Sequence, residues 1–229
     1  MSSSSATAYN ALGVRTRAQK RRTGVKDLWD LIVNNDDICF KHILPRLNSN
    51  DLKFLHGVNT ETRALIKRSP RAGDLKKGFR VSQMSSISTL EIAWKNKSLW
   101  PRGWDETSFC WRVAQTNKLE LLKWAREEKK CQWNERTIIE AAFKGNLEMV
   151  KYCVAKKCPI DVLTCANAAF NGHLECLKYL HEEVKAPWDY WSVYHAHENN
   201  QTECVQYLLD KNCPLPPGWR YEDGVLRRW

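Results

Sequence analysis

Nine cysteines and six histidines are the side chains with the most chemistry to offer in this chain. Thiolates and imidazoles at short spacing would hold zinc, but no C-x-x-C occurs and the closest cysteines are Cys153 and Cys158. His195 and His197 have no Cys or Asp at metal spacing on the same helix face. Phosphate loops, H-E-x-x-H and G-x-S-x-G are likewise missing from the sequence. The residues therefore predict no catalytic group, no metal, no cofactor and no enzyme. What is left is surface chemistry: eleven tryptophans are many for 229 residues, and Trp and Arg are the residues that anchor protein interfaces.

The elements that position those residues come from a repeat. Ala141–Glu148, AAFKGNLE, recurs as Ala168–Glu175, AAFNGHLE, 27 residues later. Self-similarity at such a period marks a stack of helical repeats. Taking Leu147 and Leu174 as anchors, the register extends to Leu119 and Thr202. Two residues before the anchors stand Asn117, Gly145, Gly172 and Asn200, the two residue types that most easily enter the left-handed conformation closing a helix. Trp104-Asp105, Trp133-Asn134, Ile160-Asp161 and Trp188-Asp189 pair a hydrophobe with an N-capping residue, which opens a first helix. Apolar residues at three and six after the anchor (Leu147, Val150, Cys153; Leu174, Leu177, Leu180) make the second helix a buried one. Most cysteines fall at equivalent positions where other copies carry Leu, Ile, Val or Met, as small buried hydrophobes do. Cys131, Cys158 and Cys213 recur between copies with Ala186 as the fourth member.

Ala168–Leu180 resembles the ankyrin signature, A-A-x-x-G-H-L-E-x-L-x-x-L. The resemblance covers four copies over residues 104–215 and implies an all-α solenoid of stacked helix-turn-helix ankyrin-type repeats. It also implies that first helices line a concave binding face. Caps at Asp105, Asn134, Asp161 and Asp189 give a period of 27 to 29, short of the roughly 33 of a standard repeat. The shortfall lies between helices, so the family's projecting β-hairpin finger should be cut to a tight turn. Arg136-Thr137-Ile138-Ile139 and Leu163-Thr164-Cys165-Ala166 stand where the family opens its first helix with T-P-L-H.

Charge separates the two halves. Residues 104–229 hold 17 Lys and Arg against 18 Asp and Glu, whereas residues 1–103 hold 19 against 8. The array is thus not an electrostatic nucleic-acid surface, and any nucleic-acid or chromatin role would belong to the basic first half. Residues 1–26, with Arg15, Arg17, Lys20, Arg21, Arg22 and Lys26 and no acid, read as a disordered basic tail: a nuclear localisation signal or nucleic-acid contact, or else a solvated arm or part of an organellar presequence. No apolar run is long enough to span a bilayer, and the Ser-rich start lacks a secretory core. A cytoplasmic or nuclear chain with no membrane partner is expected.

Residues 27–69 read as a short helical module. Their pattern, DDICFKHILPRLNSNDLKFLHGVNTETRALIKRS, resembles an F-box, although Asp36-Asp37 replaces the usual opening Leu-Pro. That resemblance implies a substrate receptor docking the adaptor of a cullin-RING ubiquitin ligase through Ile38, Ile43, Leu44, Leu47, Leu52, Leu55 and Val58. The alternative is a cap sealing the open end of the array. Residues 70–103 read as a basic linker and a degenerate first repeat, and residues 216–229 as a tail folding back on the last copy. Within the array, aromatic and Arg side chains on the first helices are the candidate protein-binding residues: Trp111, Arg136, Tyr190, Trp191 and Tyr194. The expected function is non-enzymatic protein–protein interaction.

Overall fold

The computed structural model describes residues 35–58, 60–77, 80–222 and 224–228. The basic tail and the opening of the helical module, residues 27–34, lie outside the described residues. The chain divides into two compact units, Met1–Lys77 and Gly78–Trp229.

In the first unit, α1 (Asp36–Ile38) runs on into a π turn, Cys39–Ile43, and a 3-10 turn, Leu44–Arg46. Helices α2 (Ser49–Val58) and α3 (Thr60–Arg68) follow. Asn48 opens α2 by accepting from the Asn50 and Asp51 amides (2.9 and 3.0 Å), while Asp51 accepts from the Asn48 amide (3.3 Å). This reciprocal cap satisfies donors that a helix start leaves orphaned. Leu44, Leu52 and Ile66 form the core, with Phe40, Leu47, Leu55 and Leu75 packed against them. Leu75 belongs to a 3-10 turn, Ala72–Lys76, and Arg71 donates to the carbonyls of Leu44 and Leu47 while its Nε bonds Asp74 (2.8 Å). Residues 70–77 are therefore folded onto this unit rather than serving as linker, and the boundary falls after Lys77 instead of Ser69.

The second unit opens with a 3-10 turn, Val81–Gln83, and α4 (Ile87–Lys95), whose capping box joins Ser86 and Thr89. Trp94, Trp100 and Phe109 then form an aromatic cluster with centroids 4.9 to 5.7 Å apart. The repeats follow as helix pairs: α5 (Glu106–Ala114) with α6 (Leu119–Lys123), α7 (Glu135–Phe143) with α8 (Leu147–Ala155), α9 (Val162–Phe170) with α10 (Leu174–Lys178), and α11 (Tyr190–Glu198) with α12 (Thr202–Asp210). Each first helix is capped as its sequence dictates. Asn134, Asp161 and Asp189 accept from the amide two residues on, and Asp105 from the one three on. The turns close through positive φ at Asn117 (59°), Gly145 (66°), Gly172 (72°) and Asn200 (58°).

First helices pack flank to flank because their facing residues are small and fully buried: Ala141, Ala142, Ala166, Ala168, Ala169 and Ala196. Side chains in the turns tie one copy to the one before. Asn146 donates to the Asn117 carbonyl (3.2 Å), and Asn171 and His173 both bond the Phe143 carbonyl (2.7 and 3.1 Å). All nine cysteines are buried and free. Cys158 and Cys213 donate to the carbonyls of their own copies' capping residues, Asn134 (3.3 Å) and Asp189 (3.4 Å). Burial pushes the Cys165 and Cys213 thiols up to about 12, so they behave as small hydrophobes.

The uneven period has a physical origin. The second helices of the first and third clear copies end in π turns, Trp124–Glu128 and Tyr179–Glu183, each absorbing one added residue. The first copy takes a second extra residue in its opening turn, where Asp105 reaches one amide further. A left-handed residue then ends every second helix: Lys130, Lys157, Lys185 and Asn212, with φ of 56 to 57°. Four residues later the next first helix is capped, with no strand between, so the shortened finger is the tight turn that the repeat length implies.

A longer period overlies the short one. Tyr152 donates to Glu127 (3.2 Å), which also pairs with Lys156 (3.1 Å); Tyr207, Glu182 and Lys211 repeat the arrangement at 3.1 and 3.2 Å. Every member recurs 55 residues on (127 to 182, 152 to 207, 156 to 211), so the array alternates two kinds of copy. The chain ends in a hairpin of β1 (Trp219–Glu222) and β2 (Val225–Arg228), paired antiparallel with Trp219 opposite Arg228.

Candidate functional site

With small residues committed to packing between first helices, larger side chains are left on their outward face. The residue two past the cap is Arg136 in α7, Leu163 in α9 and Trp191 in α11. All three are exposed, Leu163 by 43% and Trp191 by 39%. One exposed hydrophobe would be ordinary; the informative point is that Leu163 and Trp191 occupy the same position on neighbouring first helices.

Toward the front of this face, α5, α7 and α9 bound a groove of about 390 Å³. Trp111, Ile139 and Leu163 supply its apolar walls, and Glu135, Arg136, Glu140 and Asp161 its charges. Trp111 is held in place from behind: the Arg112 guanidinium lies 4.1 Å from the ring centroids of both Trp104 and Trp111. The Arg112 Nε–H is buried and donates to no partner among the described residues, and burial lowers the pKa of this guanidinium. Arg136 lies 5.9 Å from the Trp111 ring, and Gln115 donates to Glu140 (2.8 Å).

At the other end of the face, α11 carries a contiguous aromatic patch. Trp191 lies 5.1 Å from Tyr190, 5.4 Å from Tyr194 and 5.4 Å from His195, the last stacked at 22°. Phe170 of α9 meets His195 edge-on at 5.7 Å. The hairpin borders this patch: Trp219 lies 6.0 Å from Tyr194 and 4.8 Å from His197, and Arg228 pairs with Glu198 (3.1 Å). The tail thus does fold back on the last copy, as a β-hairpin that the repeat pattern does not announce. A signal for it stands in the sequence, Asp-Gly at 223–224 between alternating W-R-Y-E and V-L-R-R.

The five array candidates therefore form two groups on one face, Trp111 with Arg136 and Tyr190 with Trp191 and Tyr194. Sequence reasoning missed Leu163 and Ile139, whose apolar character alone gave no sign of exposure, and Arg112, whose role depends on two tryptophans meeting it. In the first unit the adaptor candidates are unevenly placed. Leu44 and Leu52 are buried core, Leu47 and Leu55 pack against it, Ile43 is half-buried and Ile38 is 39% exposed. The Val58 side chain lies outside the described residues. Among the described residues no group of three or more His, Cys, Asp or Glu is arranged to hold a metal ion, and no helix is long and apolar enough to cross a membrane.

Compared with known protein families, residues 140–217 match the model for ankyrin repeats (3 copies). That stretch, about a third of the chain, is similar to ankyrin repeats. No curated protein and no solved structure matches the chain. The first clear copy, outside the matched stretch, repeats its caps, left-handed turn and helix pair. The fold is an all-α ankyrin-type solenoid closed by a small hairpin, and ankyrin repeats make it a protein–protein interaction module.

Proposed function

We propose that the outward face of the first helices is the surface on which this chain holds a protein partner, with Trp191, Leu163 and Arg136 as anchors and the Trp111 groove beside them. The observation that carries the reading is the row itself: three successive first helices present an exposed large side chain at the same position, beside residues they bury against one another. A photo-crosslinking residue at Leu163, compared with one at the exposed Lys151 on a second helix, tests it in cells expressing the full chain. Leu163 should capture a protein that Trp191→Ala and Arg136→Ala each release, by about tenfold or more for a central anchor. Equal capture from Lys151, or capture indifferent to both substitutions, would sink the proposal.

A receptor form of this reading adds the first unit. Residues 36–77 have their own capped helices and their own core at Leu44, Leu52 and Ile66, which supports a separate docking module for a ubiquitin-ligase adaptor. With Leu44 and Leu52 occupied in that core, contact would fall to Ile38, with Ile43 and Leu47 at its margin. Ile38→Glu should then abolish co-purification of adaptor and cullin with the full chain, while leaving crosslinking from Leu163 intact. Absence of both ligase components from the unsubstituted chain would leave only the scaffold function.

A further inference from the structure

The groove has a definite chemistry. Its lining sets three carboxylates, Glu135, Glu140 and Asp161, against one guanidinium, Arg136, around apolar walls. Asp161 gives one oxygen to the cap of α9 (3.1 Å from the Leu163 amide) and Glu140 one to Gln115 (2.8 Å), which leaves a second oxygen on each. Glu135 forms no ion pair among the described residues. A side chain with a long aliphatic stem and a cationic head matches such a lining, because its methylenes can lie on Ile139 and Trp111 while its head meets the carboxylates. An anionic side chain would face an excess of like charge, which selects against it.

Spacing fixes more. Packed helices lie about 8–10 Å apart, and an extended chain advances about 3.3 Å per residue, so a segment crossing the first helices meets a new helix about every third residue. We infer that the first-helix face binds an extended segment carrying Lys or Arg at one position and apolar residues three and six positions along. The cation sits between Glu135 and Glu140, and the apolar side chains lie over Leu163 and Trp191. This names the partner chemistry of the face proposed above and rests on that reading.

The test uses fluorescein-labelled nine-residue peptides with Lys, Leu and Leu at this spacing in both chain directions, beside versions with Glu or norleucine replacing Lys. In one direction the Lys peptide should bind the full-length protein about tenfold or more tighter than the Glu peptide, as close charge pairs allow. Glu135→Gln with Glu140→Gln should erase that preference, and Glu135→Lys with Glu140→Lys should invert it. Both positions lie on a helix surface, and an unchanged circular dichroism melt checks that the variants fold. The inference is overturned if the Glu or norleucine peptide binds as well as the Lys peptide, if the preference survives the glutamine variant, or if no peptide binds at millimolar concentration. Leu163 crosslinks that remain sensitive to Trp191→Ala in the absence of a Lys preference would overturn this inference alone. Loss of those crosslinks would overturn the contact face with it.

Discussion

Substitution of Gly145 by alanine should be markedly more damaging than the same change at Gly172, although both glycines occupy left-handed turns. At φ of 66° and 72° either alanine carries the conformational cost, about 1–2 kcal/mol. The neighbours differ. A methyl on Gly145 would stand 2.6 Å from Cε1 and 2.7 Å from Cγ of the His173 ring. That ring is rigid, and its Nε2–H holds the Phe143 carbonyl at 3.1 Å. It must swing away and forfeit the bond, about 0.5–1.5 kcal/mol more. A methyl on Gly172 meets the far end of Gln201, with Cδ at 2.8 Å, and a flexible amide can step aside. Gly145→Ala should therefore cost about 2–3 kcal/mol and Gly172→Ala about 1–2 kcal/mol. Urea unfolding followed by tryptophan fluorescence would separate them by roughly 0.3–1 M in midpoint. A double-mutant cycle makes the cause specific: His173→Ala forfeits the same bond, so it should cost about 1 kcal/mol less in the Gly145→Ala background than in the parent chain. Equal midpoints for the two alanine variants, or additivity of Gly145→Ala with His173→Ala, would refute the clash.

Other outcomes follow from buried hydroxyls, strained turns and ion pairs. The Thr137 hydroxyl is buried without a partner, whereas the equivalent Thr164 bonds Asp161 at 3.4 Å. Thr137→Val should thus stabilise by about 1 kcal/mol and Thr164→Val should not, as thermal melts of the two will decide. Lys157 holds a φ of 57°. Its replacement by glycine should raise stability by about 0.5–1 kcal/mol despite glycine's greater unfolded freedom, and a lowered urea midpoint would contradict this. Lys156 first, and Tyr152 after it, hold the Glu127 carboxyl below its ordinary 4.5, and Lys211 and Tyr207 do the same for Glu182. A depressed folded-state pKa gives stability that is present above the unfolded value and lost as pH falls through the folded one. The melting temperature should drop on acidification below pH 4.5, and Glu127→Gln with Glu182→Gln should flatten that limb. An unaltered slope would mean the pairs contribute nothing.

Much of the array was legible because its signals are local. A cap residue before each first helix and a glycine or asparagine after it specify backbone that needs no distant contact, and Asp105, Asn134, Asp161 and Asp189 behave as their side chains require. The interchange of Cys with Leu, Ile, Val and Met likewise foretold burial. Features that depend on meeting another element were not legible. Leu163 and Ile138 are both aliphatic members of a first helix, yet one is exposed and the other fully buried; Ile138 shares its position with Cys110 and Cys165, whereas Leu163 by itself gave no such sign. Lysine at the left-handed end of three second helices gave no warning, since its side chain has no stake in that backbone. In the first unit the apolar spacing and the Asn48 cap located the helices, while the leucines offered as contacts, Leu44 and Leu52, hold the core. An amphipathic pattern marks which residues are apolar, without saying whether their partner is the chain itself.

The π turns at Trp124–Glu128 and Tyr179–Glu183 act as expansion joints. Each takes up an added residue within one helical turn, at the rear of its copy, before the next capping residue resets the frame. Arg136, Leu163 and Trp191 consequently stay in line although the copies that carry them differ in length. Single-residue gains and losses in the second helices can thus accumulate behind the front row without scrambling its order, and the spacing presented to a partner is insulated from the drift of the scaffold.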